Sequence, residues 1–155
     1  MAILIEFLEG CEAIQEEFLQ KSFPNNGPLK TDAFSKKLSD IIAKNSCNAL
    51  DRQYKLLDKV KDHSYINKSN RNDVLFTAKK VDKLVLRQQK KWSRLEKNQN
   101  KKLNAIPSDW INDHKRKEIY EAAKRLVEYV GNQSTFFKDV SKEMKAIQVT
   151  CLNLK

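Results

Sequence analysis

Apolar side chains recur along this chain at intervals of three and four residues, and polar clusters break the pattern between the runs. The first run, Ile3, Phe7, Cys11, Ile14 and Phe18, is widened by Leu4, Leu8 and Leu19 and predicts a helix over about residues 2–22. Its other side is acidic, with Glu6, Glu9, Glu12, Glu16 and Glu17. Phe23-Pro24-Asn25-Asn26-Gly27-Pro28 ends it, because proline removes an amide donor and glycine and asparagine suit turns.

A second helix is predicted over about residues 31–63, with Thr31 as N-cap and Asp32 in the dipole-favoured first turn. Phe34, Leu38, Ile41, Ile42, Ala49, Leu50, Leu56, Leu57 and Val60 form its apolar face. The register loosens at Asn45-Ser46-Cys47-Asn48, which reads either as a kink or as polar side chains entering the core. The cluster from Asn67 to Asn72 marks the next turn.

The third helix is expected over about residues 73–103 and ends at Asn104-Ala105-Ile106-Pro107. Val74, Ala78, Val81, Val85, Gln88, Trp92, Leu95 and Gln99 alternate spacings of four and three, the seam of coiled-coil-like packing. The fourth is expected over about residues 108–152, with Ser108 as N-cap and Asp109 at its start. Its seam, from Ile119 through Ala123, Leu126, Val130, Gln133, Phe137, Val140, Met144 and Ile147 to Cys151, stays in phase past Gly131. One long helix follows, weakened at that glycine by about 1 kcal/mol relative to alanine; the alternative is a break at Gly131-Asn132. Gln88, Gln99 and Gln133 interrupt the seams, and the pattern leaves open whether they are buried to fix register or lie at the wet edge.

Four helical segments with short connections predict an all-α fold, an elongated up-down-up-down antiparallel four-helix bundle with coiled-coil-like seams. At 155 residues the chain fits a single domain, 1–155. The first helix is too short to cover the others, so part of the seam is expected to stay open to a partner or a second copy. Only 3 Gly and 3 Pro occur in the whole chain, which agrees with helix throughout.

No apolar run approaches the roughly 20 residues of a membrane span, and the glutamates of the opening segment exclude a signal peptide. Three separated cysteines without a C-x-x-C suggest neither a disulfide framework nor zinc, and fit reduced core residues in an intracellular protein, cytoplasmic or nuclear (or nucleoid) rather than secreted. His63 and His114 form no metal-spaced pair, and no glycine-rich phosphate loop exists. No enzyme, cofactor or metal is expected; His63, near the end of the second helix, reads as structural.

Charge changes the picture. The net charge is +10, unevenly spread: residues 1–20 hold 5 acidic and no basic side chains, while residues 64–105 hold 12 basic and 3 acidic. In the third helix Lys80, Lys83, Arg87, Lys90, Arg94, Lys97 and Lys101 alternate three and four, offset by two residues, or about 200°, from the seam. They predict a straight basic stripe about 30 Å long, opposite the core. Asp82 and Glu96 lie off it. In the fourth helix, by contrast, Asp113 precedes Lys117 and Glu121 precedes Arg125 by four residues, a locally neutralising arrangement.

The stripe reads either as a solvated face, as one neutralised by the acidic first helix, or as a binding surface. As a binding surface it suits a nucleic-acid phosphate backbone, DNA or RNA, contacted without sequence readout, as in a small subunit of a nucleoprotein complex. Trp92 lies on the seam and Tyr65 beside a turn, so no row of aromatics for stacking bases is expected. The competing reading is an assembly module that docks an acidic protein, a partner helix or a second copy. A membrane surface fits less well, because the stripe shows no apolar anchor beside it.

Overall fold

The computed structural model describes residues 2–22 and 36–154, and these fold into four packed α-helices. They are α1 (Ala2–Ser22), α2 (Lys36–Lys61), α3 (Arg71–Asn104) and α4 (His114–Asn153). Thr31 and Asp32, read as the start of the second helix, lie outside the described residues. At 40 residues α4 is about 60 Å long and forms the spine of the bundle.

Side-chain bridges fix the directions. Gly10 faces Leu56 and Glu17 reaches Arg52, so α1 and α2 are antiparallel. Asp82 meets Ser141 and Ser93 meets Ser134, so α3 and α4 are antiparallel as well. Gln53 meets Gln133 and, ten residues on, His63 meets Glu143, so α2 and α4 run parallel, side by side. Chain direction therefore alternates as expected, but α2 packs on α1 and α4, while α3 packs on α4 and, less extensively, on α1. The two antiparallel hairpins are laid together so that parallel helices touch.

The connections differ from expectation in detail. After α2 the chain makes a 3-10 turn at His63–Tyr65, whose first amides are met by Asp62: its side chain accepts from Ser64 N. The polar stretch before α3 is a turn built on asparagine, with Asn67 Oδ1 accepting from Ser69 N and Asn70 N. Ser108 does not cap the fourth helix. Ser108–Ile111 is a separate 3-10 turn closed by Asn112 N donating to Asp109 O, and α4 starts at His114. Asp113 is the residue that meets the first amides, accepting from Arg116 N at 3.3 Å, because a short carboxylate competes for backbone amides and so favours the cap over the helix interior. Its side chain also pairs with Arg116 at 3.8 Å.

α4 runs unbroken through Gly131. A β-carbon there would collide with the Glu96 carboxylate, so the glycine admits that side chain against α4. In α2 the loose stretch is continuous helix: Asn45 reaches Ser22 Oγ at 3.3 Å, Ser46 turns back to Ala43 O, and Cys47 and Asn48 face solvent. Cys47 is thus the exception to the core reading of the cysteines, and Cys11 and Cys151 fulfil it.

The core falls into two apolar clusters. One gathers Leu4, Phe7, Cys11, Leu57, Val74, Val81, Val85, Phe136, Met144 and Ile147; the other holds Ile14, Phe18, Ile42, Ala49, Tyr129 and Val130. Between them lies a belt of glutamines. Gln133 Oε1 accepts from Gln15 Nε2 at 2.9 Å and Gln53 Nε2 at 3.0 Å, and Gln133 Nε2 donates to Gln53 Oε1 at 2.7 Å. Gln133 is therefore buried and hydrogen-bonded across three helices, whereas Gln88 and Gln99 are half-buried at the edge.

Candidate functional site

The α3 helix carries its apolar seam inward as far as Val85, with Val74, Ala78 and Val81 buried before it. From Gln88 to Gln99 the seam is only half-buried. The stripe is where phase dictates: Lys80, Lys83, Arg87, Lys90, Arg94, Lys97 and Lys101 are all exposed. Lys79, Lys91 and Lys102 flank them and are exposed too.

Among the described residues none of the seven stripe cations forms an ion pair. The acids that could neutralise them are turned elsewhere. Asp82 accepts from Ser141 Oγ at 2.7 Å, and Glu96 lies against Gly131, so both face α4. The acidic side of α1 does not reach the stripe. Glu17 engages Lys21 of its own helix at 2.7 Å and Arg52 of α2 at 2.6 Å, and these hydrogen bonds, that to Lys21 foremost, hold its carboxyl down at about 2. Glu6, Glu9, Glu12 and Glu16 remain exposed. The charge therefore stays separated, negative on α1 and positive on the outward side of α3.

Lys138 and Lys145 follow Ser134 and Ser141 by one turn each, on the side of α4 that meets α3, and both are exposed. Arg87, Lys90, Lys91, Arg94, Leu95 and Asn98 line a shallow open groove along the stripe.

Reading the sequence missed one member of this face. Phe76 precedes Lys80 by four residues and continues the stripe's alternation by one step. It is 71% exposed, the most exposed large apolar side chain among the described residues. It places an exposed apolar side chain beside the row, where the pattern of cations alone predicted none.

Of the remaining reactive groups, Cys47 and His114 are exposed, and His63, Cys11 and Tyr54 are held in packing or hydrogen bonds. His63 Nε2 lies 2.8 Å from Glu143 Oε1 and Nδ1 2.9 Å from Thr150 Oγ1, which ties the end of α2 to α4. Burial, and secondarily Glu12, pushes the Cys11 thiol up to about 12, so it stays protonated and is a poor nucleophile at neutral pH. Burial and the hydrogen bond to Asp139 push Tyr54 up to about 12 as well. Among the described residues no group of histidines, cysteines and carboxylates could hold a metal ion, and no helix is long and apolar enough to cross a membrane.

Fold and site together define a helical bundle with one unneutralised cationic edge. Comparison with protein families, with curated proteins and with solved structures found no match.

Proposed function

We propose that this chain is a non-enzymatic binding module whose α3 stripe contacts the phosphate backbone of a nucleic acid without reading its sequence, in the manner of a small subunit of a nucleoprotein complex. The observation that carries this reading is the seven-residue cationic row, exposed and free of ion pairs among the described residues while the acids of α1 and the mid-helix acids of α3 face elsewhere. A solvated helix face normally mixes signs; a straight row of one sign about 30 Å long matches a polyanion with regularly spaced charges. Contacts of this kind set position and affinity rather than sequence preference.

The test is charge reversal. Replacing Lys83, Arg87, Lys90 and Arg94 by Glu abolishes binding to fluorescent duplex DNA and RNA at about 50 mM salt, with helicity by circular dichroism unchanged. Undiminished binding by the reversed protein would remove the stripe from the interface.

A second reading is an assembly module, favoured by the C-terminal end of α4, where Val149 and Leu152 are 54% and 68% exposed. In that reading they meet a partner helix or a second copy, and sedimentation shows a concentration-dependent mass. A strictly monomeric particle across the concentration range counts against self-association.

A further inference from the structure

We infer that the nucleic acid taken up by the stripe carries unpaired nucleotides beside the segment held through its phosphates, and that Phe76 stacks on an unpaired base. This inference rests on the phosphate-binding reading of the stripe and goes beyond it, from backbone contact to the kind of strand recognised.

Phe76 stands out against the other described phenylalanines. Phe7, Phe18, Phe136 and Phe137 are all buried in the core. Phe7, Phe18 and Phe136 each pack against another aromatic ring, and Phe76 has no ring contact among the described residues. Its position is not a compromise of core packing, because it lies on the side of α3 opposite the buried Val74, Ala78 and Val81. A hydrophobic ring left in water at that point gains nothing from the fold.

Its surroundings suit a base. Along the helix it stands about 6 Å from Lys80 and about 38 Å from Lys101, at the end of the row. Lys79, Lys80 and Lys83 are exposed within two turns of it, and Asn72 and Asp73 lie within the turn before. The cations can hold phosphates on one side of the ring while Asp73 marks where the row stops. A base pair inside a duplex hides both faces in the stack and must be unstacked to admit a ring, so a ring at the end of a phosphate-binding row meets a base at least cost where bases are unpaired. Aromatic side chains beside a cationic track are the usual platform for such bases, and the stacking is tolerant of sequence because every base has a π-face.

The experiment compares two RNA probes by fluorescence anisotropy at about 50 mM salt: a blunt duplex of about 16 base pairs, and the same duplex with an overhang of about four nucleotides. The intact chain binds the overhang probe more tightly. Phe76→Ala weakens the overhang probe by about 5- to 150-fold and leaves the blunt duplex unchanged, and Phe76→Trp retains the preference. Because the ring is exposed, neither substitution removes a core contact, and circular dichroism confirms the fold. Equal affinity of the intact chain for both probes overturns the inference, as does an alanine variant that loses both equally or neither, and in these cases the stripe reading stands. An alanine variant that changes only the sedimenting mass also overturns it, by assigning the ring to a protein contact. Failure of the intact chain to bind either probe overturns the stripe reading and this inference together.

Discussion

At the residue scale the most consequential side chain in the core is Gln133. Burying an amide is costly unless its donors and acceptor are met, and here two other glutamines from two other helices meet them. Gln133→Leu strands Gln53 in an apolar interior and costs about 1–3 kcal/mol in urea unfolding. The double variant Gln53→Leu with Gln133→Leu recovers much of that loss, since only the half-buried Gln15, which can turn to water, is then left without its partner. Costs that simply add would show that the two amides do not act as a pair. The same spacing in α4 that exposed Gln133 as a seam residue could not reveal its fate. That depended on Gln15 and Gln53 arriving at the same level from α1 and α2, and Gln53 carries no distinguishing pattern of its own. Trp92 Nε1 and Tyr129 OH are buried without a protein partner among the described residues, yet the two rings pack edge to face at 5.9 Å, so shape rather than polarity places them.

At the scale of elements, α4 shows how a long seam outweighs a local weakness. Gly131 lies inside the helix, where glycine is disfavoured, and in-phase apolar contacts before and after it keep the helix continuous. An alanine there would run into Glu96 Oε2, but the carboxylate is the end of a flexible side chain and can swing clear. Gly131→Ala therefore raises stability by up to about 1 kcal/mol, read as a higher thermal midpoint by calorimetry. A lowered midpoint would mean that the seat of Glu96 matters more than helix propensity. The start of α4 is less legible in the sequence. Ser108 and Asp109 after a proline form an ordinary N-terminal signature, but Asn112 and Asp113 repeat the signal a turn later, and one-dimensional pattern does not rank two caps in succession. Asp113 prevails because the chain between them closes as its own 3-10 turn.

Across the whole molecule the charge separation decides the behaviour. With seven phosphate contacts from the stripe, duplex affinity falls by about 10³- to 10⁴-fold between about 50 and 200 mM salt. A titration of affinity against salt measures this slope, and a flat response would indicate that the α3 cations do not meet phosphates. The sequence alone determined the helices, most of their inward seams and the cationic line on α3, because each depends only on the 3.6-residue turn of a single helix; early in α4 the buried side turns instead to Ala122 and Tyr129, leaving Ala123 and Leu126 half-buried. The sequence could not determine that α2 lies parallel beside α4, that Glu17 of α1 turns to Arg52 rather than to α3, or that Asp82 and Glu96 are drawn toward α4. Those outcomes depend on which helix sits next to which, and periodicity within one helix carries no information about its neighbour; only packing in three dimensions left the stripe free of ion pairs among the described residues.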